Sequence, residues 1–346
     1  MIKPKQLKPG DTVAIVSLSW GGLGDAELIH KYYLGKQRLE EEFGLKVVAM
    51  PHALKGSEFI YQHPELRAKD LMEAFHDPSI QAIICAIGGS DAIRLLPFID
   101  YDIIRSNPKV FMGFSDTTAN HLMLWKAGLV SYYGPCLMCD FAEYGSMFEY
   151  TKEYIKRTLF EHHDRLEILP SPVWTDETIP WELENIHKRK HLLQEKIGYE
   201  CLQGNGIVTG PLLGGCIDAF MLYNGTSIWP SKSEFAGTIL FLETSEDYPS
   251  CDLLTWILRN LAAQGIFDVI HGLVFAKPMD GMYYEEYKGV LKKVIGEEEH
   301  HPDLPILYNL NFGHSTPRCI LPYGIQAEIN CERKTFALIE SATCES

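Results

Sequence analysis

Three residues that together could make a hydrolytic relay close apolar runs in this chain. Ser115 ends KVFMGFS, Glu243 ends TILFLE, and His314 follows PILYNLNFG. A serine attacks only when a base takes its proton, a third group orients that base, and donors hold the resulting oxyanion. Open α/β sheets place such groups at the carboxyl ends of their strands. The order Ser…Glu…His is that of α/β hydrolases, although the turn G-F-S-D-T carries Thr117 where the G-x-S-x-G elbow has its second glycine.

Ser115 has a competitor. AIGGSD (86–91) and MGFSD (112–116) are both Gly-rich turns that carry Ser-Asp into a helix-like stretch, and either serine suits a helix N-cap. Gly113 favours Ser115 for attack because it allows a tight turn. The bare amides of Gly88-Gly89 suit close approach to a substrate, so that turn is assigned to the oxyanion hole. Gly88 and Ser90 are the candidate substrate contacts in that turn. Glu246 and Asp247 are alternatives to Glu243 as the orienting acid. Glu243 is preferred because four apolar strand residues precede it and hold it rigidly.

Other histidines fit structural roles better. His121 is read as buried or capping, and His271 as packed in mid-strand. The doublets His162-His163 and His300-His301 lie in polar surroundings with no ligands at fixed spacing, so no metal and no cofactor is expected. Cys136-Leu-Met-Cys139 has no second pair at zinc spacing and is read as structural. An amidotransferase would need a cysteine at an elbow, and neither Cys85 nor Cys136 sits in one. A non-catalytic rival remains, in which both Ser-Asp turns only cap helices and two lobes clamp an anion or nucleotide.

The elements that must position these residues follow from the apolar rhythm. TVAIVSLS (12–19), KVVAM (46–50), QAIICAIGG (81–89), KVFMGFS (109–115) and LVSYYGP (129–135) read as strands, with helices between them at 26–43, 63–77 and after Asp116. Near-continuous apolar strands alternating with helices imply a parallel sheet covered on both faces. Residues 163–205 break the rhythm with Pro, acidic residues, Trp174, Trp181 and a basic run at Lys188-Arg189-Lys190, read as a solvated face. A second α/β segment follows, with a helix expected over 283–296 and an antiparallel tail. The expected division is therefore 1–162, a connection and substrate loop at 163–205, and 206–346.

Composition bounds the partners. The chain has 346 residues, 46% hydrophobic and 22% charged, which suits a globular protein. A net charge of −15 argues against nucleic acid. No apolar run reaches the roughly 18 residues of a membrane span. Nine scattered cysteines, an odd number, and no evident signal peptide point to a reducing cytoplasm.

Taken together, LKPGDTVAIVS, AIGGSDAIRLLPFIDYDIIRSNPKVFMGFSDTTA, GPLLGGCIDAF, FLETSED and NLNFGHS resemble the LD-carboxypeptidase family of serine peptidases, which includes the microcin C immunity proteins. The resemblance implies Ser115 as nucleophile, His314 as general base, Glu243 as its partner, and an oxyanion hole from the N–H groups of Gly89 and Asp116. It implies an N-terminal flavodoxin-like domain, a C-terminal swivelling-type β/α domain and a homodimer. One branch cleaves the terminal D-amino acid of muropeptides. The other, the immunity branch, cleaves the amide between an amino acid and a nucleotide-like group, and has a longer loop whose aromatic residue stacks on the base. The long loop here, with Trp181 for stacking, favours the second branch.

Overall fold

The computed structural model describes residues 1–345, arranged around two large sheets. The first is built from β1 (Thr12–Val16), β2 (Lys46–Ala49), β3 (Ile80–Cys85), β4 (Val110–Gly113) and β5 (Tyr132–Tyr133). These strands are all parallel and lie in the order 2-1-3-4-5. β4 is buried at every residue, and β1 and β3 at all but one. That explains runs of apolar residues without alternation. The helix Thr118–Ala127 behind Ser115 buries eight of its residues, because the second domain covers the side that would otherwise face water.

Segment 163–205 is not one irregular excursion. It contains β6 (Leu166–Ile168), a two-stranded ribbon of β7 (Val173–Trp174) with β8 (Leu193–Gln194), and β9 (Glu200–Gln203). The chain continues through β10 (Ile207–Cys216), β11 (Ile239–Glu243), β12 (Gly272–Ala276) and β13 (Ile306–Leu310), which run parallel. β14 (Leu321–Pro322) returns to the first sheet and pairs antiparallel with β5. β15 (Gln326–Asn330) and β16 (Thr335–Leu338) complete the second sheet, in the order 6-16-15-10-11-12-13-9. The protein is α/β with two domains: the N-terminal sheet is mostly parallel and the C-terminal sheet mixed. Both edge strands of the second sheet, β6 and β9, come from 163–205, and β14 crosses between the domains.

Two expected elements are shorter. The strand over 129–135 reduces to Tyr132–Tyr133: Leu129 and Val130 pair with Ile2 instead, and the Gly134 N–H makes a last bond to the Gly113 carbonyl before the donor-less Pro135. The helix over 283–296 is regular over Tyr284–Leu291 and then widens over Lys292–Glu298, where Gly296 weakens the α-turn. Among the described residues no helix is long and apolar enough to cross a membrane.

Candidate active site

Ser115 lies just beyond β4 at φ +65°, a left-handed value that costs a non-glycine residue energy. The sharp turn lifts its side chain from the sheet, as an elbow serine requires. The Gly88–Gly89 turn leans directly over it. A Cβ at Gly88 would stand 2.8 Å from Ser115 Cβ, 3.0 Å from its Oγ and 3.2 Å from the Asp116 N. No side chain fits there, so the backbone itself closes on the serine.

The Asp116 carboxylate is a buried hub. Its Oδ2 accepts from Ser19 Oγ at 2.6 Å and from the N–H groups of Asp91 and Ala92 at 2.8 Å each. Its Oδ1 accepts from Tyr223 Oη in the second domain. The turns after β1, β3 and β4 are thereby joined at one charge.

Glu243, at the end of β11, is 1% exposed. Its Oε2 accepts from His314 Nδ1 at 2.7 Å and from the His314 N–H at 3.1 Å. Its Oε1 accepts from Tyr133 Oη, and Tyr133 Oη accepts from the Ser115 N–H at 3.0 Å. Tyr133 thus ties the serine's backbone to the acid. Gly313 permits the close approach of Glu243, since a Cβ there would stand 2.3 Å from the carboxyl carbon. Tyr133→Phe removes a hydrogen bond to a carboxylate and strands the Ser115 amide. It is expected to lower kcat by about 10- to 100-fold with KM little changed, read by steady-state kinetics.

The remaining nitrogen, His314 Nε2, lies 2.8 Å from Glu246 Oε2. Ser115 Oγ makes no hydrogen bond with it, although both residues line one cavity. Burial pulls the imidazole toward neutrality, but the two carboxylates outweigh burial and lift it to about 10. The bond from His314 holds Glu246 down at about 2. The two carboxylates thus favour the charged ring in the free protein.

Ligand atoms of Cys216, Glu243 and His314 lie within 4.8 Å of one another. They do not fit a metal. Nδ1 and Oε2 are each other's partners, and burial pushes the Cys216 thiol well above its usual range.

The cavity holds about 390 Å³ and is walled by Gly88, Gly89, Ser115, Trp20, Trp181 and Arg318 among others. A larger hollow of about 590 Å³, beside Pro9 and Phe160, has no serine, cysteine or histidine in its wall. Trp181 faces Trp20 with ring centroids 6.4 Å apart and planes inclined by 19°. Lys31 Nζ lies 4.6 Å from the Trp181 ring centroid. The loop is tied down on both sides. Tyr144 Oη donates to the Trp181 carbonyl at 2.8 Å, and Lys190 pairs with Glu143 at 2.8 Å. On the other side Lys277 pairs with Glu195 at 3.0 Å and lies over the Trp174 ring. Trp174 is therefore an anchor, and Trp181 the cavity wall.

The geometry gathers Ser115, His314, Gly88, Gly89 and Trp181 around one space, with Glu243 behind the histidine. Ser90 is exposed and outside the cavity wall. His121 is buried between Ser131 Oγ and the Gly113 carbonyl, and burial pulls it to about 3. His271 is exposed rather than packed: it precedes β12 and bonds the Thr209 carbonyl at 2.7 Å. Lys190 turns into the cavity rather than lying on a solvated face. Tyr133, Trp20 and Arg318 were not singled out by sequence reasoning. Only Trp20 had a usable signal, since it follows β1 at the same end of the sheet as Gly88 and Ser115.

Comparison with known proteins agrees with this architecture. Residues 13–134 match the LD-carboxypeptidase N-terminal domain and residues 209–329 its C-terminal domain. The microcin C7 self-immunity protein MccF of Escherichia coli is 28% identical, over 96% of this chain and 94% of its own. An MccF-like protein from Streptococcus pneumoniae, solved in complex with AMP, superposes with a TM-score of 0.87 at 38% identity, covering 95% of this chain and 98% of that one. MccF solved in complex with glutamyl sulfamoyl guanosine gives a TM-score of 0.86 at 25% identity, over 99% and 100%. With both domains matched in order and the paired lobes meeting at Ser115, the chain belongs to the LD-carboxypeptidase family, peptidase S66.

Proposed function

We propose that this protein is a metal-independent serine hydrolase that cleaves the amide between an amino acid's carboxyl group and a nucleotide-like group. The observation that carries the reading is the cavity, in which an aromatic wall of Trp181 and Trp20 stands beside Ser115 and the Glu243–His314 pair. Indole faces take a nucleobase by stacking. The Arg318 guanidinium, whose Nη1 bonds no other group among the described residues, is a donor for a phosphate or sulfamoyl oxygen. The solved relatives bind AMP and a glutamyl sulfamoyl nucleoside, which supports the same ligand class here.

In this reading neutral His314 takes the proton of Ser115 as Oγ attacks the carbonyl carbon. The oxyanion is held by the N–H groups of Gly89 and Asp116, each donor worth about 10²- to 10³-fold in rate. His314 returns the proton to the leaving nitrogen, and water resolves the acyl-enzyme. Glu243 fixes the tautomer and steadies the imidazolium. The strand order 2-1-3-4-5 supports a flavodoxin-like N-terminal domain, with the site beside its β1/β3 switch point. A swivelling-type C-terminal domain and a homodimer belong to the same reading, the latter open to sedimentation equilibrium.

A muropeptide carboxypeptidase is the second reading, favoured by the family's name. Side-by-side assays on an aminoacyl sulfamoyl adenosine and an L,D-tetrapeptide separate the two, and turnover of the tetrapeptide alone would sink the first. Failure of a fluorophosphonate to label Ser115 would favour a binding protein instead. Trp181→Ala is expected to raise KM for the nucleotide conjugate about 5- to 150-fold, the worth of one base–aromatic stack. It should leave tetrapeptide cleavage unmoved.

A further inference from the structure

Two thiols at the cavity wall take no part in the hydrolytic relay. Cys139 is the only cysteine in that wall, and Cys136 is fully buried behind it. Both are free. They stand at the ends of one turn: Cys136 precedes the wide helical turn Leu137–Phe141, and its carbonyl accepts from the Asp140 N–H at 3.2 Å. Residues at the two ends of such a turn lie within roughly 7 Å at Cα, a span that a disulfide can bridge. The same turn carries the partners of two cations. Asp140 pairs with Arg318 at 3.2 Å, and the Met138 and Ala142 carbonyls accept from Lys31 Nζ at 3.3 and 3.0 Å. Arg318 lines the cavity, and Lys31 lies over the Trp181 ring.

This setting divides the two thiols by reactivity. Burial drives Cys136 well above its usual range and keeps it protonated. Cys139 is held below its usual range by the Cys136 thiol, which donates toward its sulfur, with Arg318 and Lys31 adding positive charge. The second close pair, Cys201 and Cys331, has Glu332 beside it in place of a cation, and burial pushes Cys331 up to about 12. We propose that Cys139 is a modification site for hydroperoxides, with Cys136 as its resolving thiol, and that the disulfide they form switches the catalytic cavity off. The chemistry of the pair stands without the hydrolase reading, and its effect on turnover rests on that reading.

The Cys139 thiolate attacks the terminal oxygen of a hydroperoxide ROOH. The O–O bond breaks, Cys139 becomes a sulfenic acid, and RO⁻ leaves and takes up the proton that Cys139 released on ionising. The Cys136 sulfur then attacks the Cys139 sulfur. The S–O bond breaks, and hydroxide leaves with the Cys136 proton as water. An electron pair has passed from the two sulfurs to the peroxide, and the products are a disulfide, ROH and water. Cys139 is drawn from the wall toward Cys136, and the turn that holds Asp140 and the Met138 carbonyl moves with it. Arg318 and Lys31 then lose their places beside Trp181.

The test treats the whole chain with limiting hydrogen peroxide and reads its thiols by mass spectrometry. The peptide that holds Cys136 and Cys139 is expected to lose both thiol hydrogens about 10-fold faster than the exposed Cys344 oxidises, and to regain them with dithiothreitol. Cys136→Ser, altered behind the wall, should turn over as wild type does before treatment. After treatment it should stop at a sulfenic acid on Cys139 that dimedone traps. Wild-type turnover of an aminoacyl sulfamoyl adenosine should fall about 10- to 100-fold as the disulfide forms, the worth of one charge-assisted contact, and return with dithiothreitol. Oxidation of Cys344 first, or no dimedone adduct on Cys139, overturns the modification site. Full turnover with the disulfide in place overturns the switch. Both outcomes leave the hydrolase reading intact. An untreated wild type that cleaves neither the nucleotide conjugate nor the tetrapeptide removes that reading and the switch with it, while the peptide mass still decides the modification site.

Discussion

Ser115→Ala is expected to lower kcat on the nucleotide conjugate by about 10⁵- to 10⁶-fold, the loss that removal of a serine nucleophile produces elsewhere. The fold should not change. Ser115 Oγ has no hydrogen-bond partner among the described residues, so alanine leaves no buried group unsatisfied, and the backbone at φ +65° is equally strained in both proteins. The bonds that hold the turn are made by backbone and by other side chains. Tyr133 Oη accepts from the residue-115 amide at 3.0 Å, and Thr118 Oγ1 donates to its carbonyl at 2.7 Å. Substrate binding should therefore survive at close to wild-type affinity, since Trp181, Trp20 and Arg318 are untouched. Kinetics, a thermal melt and calorimetric binding together read this. A variant that melts as wild type does, binds as wild type does and does not turn over is the expected result. One that retains even a tenth of the wild-type rate would sink the nucleophile assignment.

How much of this could be read from sequence depends on whether a contact is local. Ser115, Glu243 and His314 were legible because each follows an apolar run, and such runs become strands whose carboxyl ends meet. The Gly88–Gly89 turn was legible because paired glycines after a strand leave backbone bare. Tyr133 was not, since nothing in YYGP announces a hydroxyl reaching Glu243, 110 positions away. Glu246 was weighed only as a substitute for Glu243. It holds the other nitrogen of the same ring, a distinction of side-chain direction that spacing does not carry. Segment 163–205 looked like one excursion because β7 and β8 are two residues each, too short for any periodicity to register. Their pairing is fixed by what lies beneath them, Lys277 against Glu195 on one side and Lys190 against Glu143 on the other. His271 was misplaced for a similar reason: one residue ahead of a strand, an apolar context does not guarantee burial.

Glu243→Gln is expected to cost about 10⁴-fold in kcat, the size seen when the orienting carboxylate of a serine triad is amidated. The reason here is donor count. Glu243 accepts from His314 Nδ1, the His314 N–H and Tyr133 Oη, all in a buried place. Glutamine has one acceptor oxygen, so its NH₂ must face one of these donors or force the imidazole into the wrong tautomer. The variant should also titrate differently. Glu243 and Glu246 raise His314 to about 10 against the pull of burial. With Glu243 amidated, the acid limb of kcat/KM moves to lower pH while the plateau drops. The same charge acts on stability. A histidine raised above its unfolded value of about 6.5 stabilises the fold fully below that pH and loses the effect as pH rises through its folded value. The wild type should therefore be more stable than Glu243→Gln by the widest margin below pH 6.5, and the gap should narrow as pH approaches 10. Thermal melts across that range would show it. A margin that widened with pH would mean that Glu243 does not hold a charged imidazole, and the relay would lose its third member.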